Sequence, residues 1–122
     1  MSRVTHFEIS ADDPVKMRAF YQNVFGWNVT KWEGPIDYWL ASTGDPESTG
    51  IDGALWPNAL THGTVVTVEV ENLDAAVEKV QRHRGEIITE KTTITGIGYQ
   101  IHCKDIERNI IGIHQTDPNA GE

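Results

Sequence analysis

Apolar and polar residues alternate with a period of two along residues 4–11, so Phe7, Ile9 and Ala11 share one side and His6, Glu8 and Ser10 the other. This predicts a strand with one buried face and one polar face. The pattern then changes period. Asp13 stands where an N-cap belongs, and Pro14 follows at the first helical position, where its missing N–H costs nothing. Met17, Phe20 or Tyr21, and Val24 recur at helical spacing, and Gly26 follows as a residue free to take positive φ.

The same unit recurs in the second half. With Gly26 laid over Gly85, the apolar set Phe7, Ile9 and Ala11 falls on Val66, Val68 and Val70. Asp13 falls on Asn72, another N-cap type, and Leu73, Ala76 or Val77, and Val80 form a second apolar stripe. Agreement in strand phase, cap and stop points to a duplicated supersecondary unit rather than a solenoid repeat.

Between the helices, strands are expected over 27–32, 37–42 and 51–56, with turn signals at Glu33-Gly34-Pro35 and a Gly- and Pro-containing loop over 43–50. After a strand over 64–70 and a helix over 73–84, further strands are expected over 86–90, 99–104 and 110–115, with 92–97 only leading into Gly98. Each half therefore reads β-α-β-β-β. The expected organisation is one domain: a first module over 1–57, a linker over 58–63, a second module over 64–115 and a flexible tail over 116–122. The fold class is α+β, two tandem modules whose mixed sheet curls around a cleft with the helices outside.

A chain of 122 residues is long enough for a real core. Ten basic against 18 acidic residues leave a formal charge of −8, which opposes binding to phosphate backbones and makes nucleic acid an unexpected partner. The one basic cluster, Arg82-His83-Arg84, falls at a helix end where cations offset the macrodipole. No apolar run reaches membrane-spanning length, so no membrane partner is expected. The opening MSRVTHFE has no apolar leader core, and the single Cys103 forms no intrachain disulfide; both set a cytoplasmic location as the expectation. No phosphate-loop or dinucleotide fingerprint occurs.

The stretches HFEISADDPVKMRAFYQNVFGW, YWLASTGDP, GIDGALWP and KDIERNIIGIHQ, in that order and spacing, resemble the vicinal oxygen chelate superfamily of glyoxalases, bleomycin resistance proteins and extradiol dioxygenases. The resemblance runs over almost the whole chain and is nearest to small bacterial members of unassigned activity. It implies the paired βαβββ fold, a homodimer, and, in metal-using members, His and Glu ligands from the first and last strands of each half. Carried over residue by residue, His6 alone matches a ligand position; Val65 and Gly112 do not, and the fourth-strand position falls near Gly53 or Ala54 with Asp52 the nearest carboxylate. A stable divalent site takes three or four protein ligands. The standard metal site is therefore expected to be absent, with no cofactor.

The expected cleft lining is His6, Glu8, Tyr38, Trp56, Glu69, His102 and His114, with Trp39 also near the mouth. Aromatics there suit an apolar or planar ligand. His6 with Glu8 reads either as a general base beside a carboxylate or as a hydrogen-bonded pocket wall. His114 and His6 with Glu8 or Glu69 make a non-standard metal set conceivable. Cys103 and His102 point to opposite strand faces and read as a buried thiol and a polar lining residue. His62 and His83 are expected in solvent. No catalytic residue is assigned. The favoured function is binding of an unidentified small molecule without the standard metal. The alternatives are a divalent-metal lyase, isomerase or extradiol-type dioxygenase, and a protein-interaction module.

Overall fold

The computed structural model describes residues 2–122. The chain divides into two compact units, residues 6–65 and residues 66–122 with the opening residues up to Thr5. The elements of the first half are β1 (Arg3–Ser10), α1 (Pro14–Phe25), β2 (Asn28–Lys31), β3 (Trp39–Ser42) and β4 (Gly53–Trp56). Those of the second are β5 (Thr64–Glu69), α2 (Leu73–Arg82), β6 (Glu86–Ile87), β7 (Thr92–Ile94), β8 (Gly98–Lys104) and β9 (Ile110–Thr116). The class is α+β, as the periodicities predict.

In the first unit the strands run in the order β2-β3-β4-β1, with β1 and β4 parallel and the other neighbours antiparallel. The Asp13 carboxylate accepts from the Lys16 N–H at 3.1 Å, so the N-cap works as read. Gly26 takes φ 74° and donates its N–H to the Gln22 carbonyl at 2.9 Å, closing the helix. Met17 and Tyr21 of α1 pack on Ala11, Val29, Ala41 and Leu55, the buried face of the sheet. Trp27 stacks on Tyr21 with centroids 4.7 Å apart. Gly53 stands directly opposite Phe7, where a Cβ would run into the Phe7 ring and stand 2.5 Å from its carbonyl oxygen. That position admits no larger residue without moving a strand.

In the second unit the order is β5-β9-β8-β6, with β5 and β9 parallel, and β7 lies beside the opening half of β8. Leu73, Ile101, Cys103 and Ile113 form its core with Val77, Val80 and Tyr99 around them. Burial raises the Cys103 thiol pKa, and nearby Asp105 adds to the effect.

Five expectations are corrected. The strand over 86–90 stops at Ile87 because the Thr89 hydroxyl, not a backbone carbonyl, accepts the His102 N–H, at 2.8 Å. The chain then re-enters the sheet at residues 92–94, giving this half a fifth strand. At the end of α2 the left-handed residue is Arg84, φ 72°, not Gly85. Gly85 is needed instead for room, since a Cβ there would lie 2.6 Å from Val80 Cγ1 and 2.9 Å from the Lys104 carbonyl oxygen. The expected flexible tail folds back: Ala120 is fully buried, its carbonyl accepts the Gly96 N–H at 2.9 Å, and the Asp117 N–H binds the Ile97 carbonyl at 2.9 Å. Trp39 faces the core opposite Leu55, with the Arg18 guanidinium 5.3 Å from its ring, and so does not line the polar face.

Leu55 is wholly buried, so Leu55→Ala is expected to cost about 3 kcal/mol of unfolding free energy. Asp13→Ala, which removes only a cap, is expected to cost about 1 kcal/mol. Urea unfolding followed by tryptophan fluorescence checks both; equal losses would contradict the assignment of Leu55 to the core.

Candidate functional site

The same alternation that buries Phe7 and Ile9 sends His6, Glu8 and Ser10 to the other face of the first unit. There Glu8 stands opposite Ala54 and Ser10 opposite Trp56. Tyr38, just before β3, brings its phenol between the first two. Its hydroxyl donates to Glu8 Oε2 at 2.7 Å and lies 2.8 Å from His6 Nε2. A phenol has one proton, so the His6 Nε2–H donates to the Tyr38 oxygen and fixes the imidazole tautomer. The result is a directed chain, His6 to Tyr38 to Glu8, ending on a buried carboxylate. Burial, followed by the charge and hydrogen bond of Glu8, pushes the Tyr38 pKa far above the usual phenol range. The phenol therefore remains a donor at any ordinary pH.

Aromatic rings enclose this chain. Trp32 and Trp56 each meet Tyr38 edge-on with centroids 6.2 Å apart, and the His6 ring lies nearly parallel to Tyr38 at 6.4 Å. Such a wall offers flat apolar surface beside fixed polar atoms.

The second unit carries a comparable face across β5, β9 and β8. Strand pairing aligns Thr67, Gly112 and His102 in one row and Glu69, His114 and Gln100 in the next. Glu69 Oε1 accepts from His114 Nδ1 at 2.8 Å, and Oε2 accepts the Thr116 N–H at 2.8 Å. Partial burial alone would raise the Glu69 pKa, but the hydrogen bonds from His114 and Thr116 outweigh it and hold the carboxyl below its ordinary 4.5. Carboxylate-bound Nδ1–H leaves Nε2 of a neutral His114 as an acceptor.

Of the residues anticipated from sequence, His6, Glu8, Tyr38 and Trp56 come together in the first unit, and Glu69, His102 and His114 share a face of the second. Three residues were missed, Trp32 of the aromatic wall among them. Thr67 is in phase with Glu69, and Gln100 with His102, so the same period of two identifies them. His62, expected in solvent, is exposed, with Nδ1 3.5 Å from Ser10 Oγ. It borders an open groove of about 390 Å³ that also touches Met17 and Phe20 of α1. That groove lies against the helix and lacks the convergent hydrogen bonds of the strand faces.

Because the folded Glu69 pKa is depressed, the stability it contributes is complete above about pH 4.5 and is lost as pH falls through the folded value. Melting temperatures measured from about pH 7 down to 3 are expected to fall more steeply below 4.5 for the native chain than for Glu69→Gln. Identical acid limbs would show that the pair contributes nothing.

No curated protein matches the chain by sequence. Solved structures share its fold. A methylmalonyl-CoA epimerase variant from Streptomyces coelicolor, in complex with 2-nitronate-propionyl-CoA, superposes with a TM-score of 0.72 at 13% identity, covering 98% of each chain. The methylmalonyl-CoA epimerase of Mycobacterium tuberculosis gives 0.68 at 15% identity over 94% of this chain and 88% of that one. A hypothetical protein from Bacillus halodurans gives 0.71 at 11% identity over 99% of each. At such identities the likeness establishes the fold alone. A family model matches residues 3–113, and the chain belongs to the Glyoxalase/Bleomycin resistance protein/Dioxygenase superfamily.

Proposed function

We propose that this chain binds an uncharged, flat small molecule and does so without the metal site of its metal-using relatives. The observation that carries the reading is the His6–Tyr38–Glu8 chain. His6 is the one residue that matches a ligand position of the family, and its Nε2 is committed as a donor to the Tyr38 oxygen 2.8 Å away. Binding a cation through Nε2 means losing that proton and that hydrogen bond. The other positions carry Val65, Gly112 and Gly53 or Ala54, which have no donor side chain, and the nearest carboxylate, Asp52, accepts the Thr43 N–H at 2.9 Å. Among the described residues no three His, Cys, Asp or Glu side chains stand close enough to hold an ion together. The residues present thus do not fit the family's metal.

Charge argues for the class of ligand. The hydrogen bonds described above bring Glu8 and Glu69 into these clusters, in a chain of net charge −8. A polyanionic ligand such as the acyl-CoA bound by the Streptomyces epimerase would meet a carboxyl in each cluster and a net negative chain. Tyr38 and Trp56 with His6 instead favour a neutral ring, held by stacking and oriented by the phenol chain. Binding and orientation are what these residues supply; with the phenol held protonated, Tyr38 serves as a donor rather than a base.

Elemental analysis of protein purified without chelator, alongside a fluorescence titration with 1-naphthol and with propionyl-CoA, tests this. No bound transition metal is expected, and 1-naphthol is expected to bind more tightly than propionyl-CoA. Tyr38→Phe is expected to weaken 1-naphthol binding about tenfold while the protein stays folded. About one divalent ion per chain, lost in His6→Ala, would overturn the metal-free reading.

A further inference from the structure

Trp32 stands one residue beyond β2, and its N–H donates to the Tyr38 carbonyl at 2.8 Å, continuing the ladder past the Lys31–Trp39 pair. Residues paired across two strands put their side chains on the same face. Trp32 therefore accompanies Tyr38 to the polar side of the first unit, while Trp39 goes to the core. The Trp32 and Tyr38 rings meet edge-on, their planes 75° apart and their centroids 6.2 Å apart. The turn over residues 33–37 anchors a ring on each side. The Asp37 carboxylate accepts the Trp39 indole N–H at 3.1 Å. On the other side, a Cβ on Gly34 would run into the Trp32 indole at Cη2, Cζ2 and Cε2, so that ring lies on the bare backbone of the glycine. The conformation of the turn gives no reason for glycine there. The φ of Gly34 is not positive, and a residue that precedes a proline, here Pro35, takes an extended shape open to any side chain.

We infer that Gly34 is a positioning residue of the first unit's site: by leaving room for the Trp32 indole it fixes that ring beside Tyr38 as a wall for the flat ligand. The inference rests on the reading that a flat neutral molecule binds beside Tyr38, and it adds the residues that set the shape accepted there. Trp32 is half-buried, so its seat on Gly34 leaves indole surface open to a ligand. Gly34 differs in kind from Gly53 and Gly85. At those two a Cβ would also meet a backbone oxygen, the Phe7 or the Lys104 carbonyl, so a strand has to move. At Gly34 the three nearest atoms all belong to one side chain, which turns about χ1 and χ2. A methyl group at residue 34 therefore leaves the sheet in place and turns the indole out of its seat. A seated ring presents a preorganised surface, whereas a freed one has to be ordered again on binding, which lowers affinity.

The test is a titration of the ¹⁵N-labelled full chain with 1-naphthol, observed by NMR at the indole N–H signals of its four tryptophans. Trp32→Ala and Trp27→Phe assign two of those signals by their loss. Gly34→Ala is expected to move the Trp32 signal, to leave that of Trp27, stacked on Tyr21, in place, and to weaken 1-naphthol binding about fivefold, the effect of one ring contact. Trp32→Ala is expected to weaken binding at least as much. The double variant is expected to bind no more weakly than Trp32→Ala alone, because Gly34 acts only through the indole. Additive losses would overturn the inference, and so would an unmoved Trp32 signal in Gly34→Ala. A moved signal with native affinity, while Tyr38→Phe weakens binding, would overturn it and leave the ligand-binding reading intact. Failure of the native chain to bind 1-naphthol would overturn both together. Should Gly34→Ala fail to fold, the double variant decides by its melting temperature: recovery once the indole is removed supports the seat, and a second failure overturns it.

Discussion

In each unit of this protein the sheet has to bury one face under one helix, and everything at the candidate site follows from that. Phe7, Ile9 and Leu55 in one unit and Ile101, Cys103 and Ile113 in the other take the helix-covered side. A strand has only two faces, so the residues between them are committed to the opposite side as a set. Hence His6 and Glu8 arrive together, and Thr67 arrives with Glu69, without any local device to aim them. A slip of one residue would exchange core for site, so the register that makes the fold stable also makes the polar faces definite.

The two faces hold their carboxyls by different means. Glu8 is deeply buried and accepts from the Tyr38 phenol inside an aromatic surround. Glu69 is more open and accepts from an imidazole and a backbone amide. A partly exposed pair of that kind adds little stability, on the order of 1 kcal/mol or less. Its effect is geometric: it fixes which nitrogen of His114 carries the proton. The two units thus share a plan, legible in their matching caps at Asp13 and Asn72, while their polar faces differ.

Strand phase and helix caps were legible because they depend on neighbours in the chain: the Phe7–Ile9–Ala11 alternation, Asp13-Pro14 and Gly26 need nothing distant. What was misread depended on partners far away in sequence. Thr89 ends β6 through the His102 amide, and Ala120 is pinned by Gly96; neither bond has a local signal. Arg84 took the left-handed turn because Gly85 was needed for close approach to Lys104. In the site, His6, Glu8, Glu69 and His114 stood out by residue type. Thr67 and Gln100 did not, since a threonine and a glutamine on a strand carry no chemical flag and only their strand phase marks them.

The chain's one thiol is a clock. Cys103 is wholly enclosed in the second core, and its burial disfavours the thiolate that alkylating reagents require. While β8 stays in place, it has no route to react. Its modification rate in native buffer therefore counts the openings of that core directly, with no engineered label. Because the unit of residues 6–65 contains no cysteine, the count belongs to the second unit's half of the molecule, and comparing it with tryptophan fluorescence separates local opening from global unfolding.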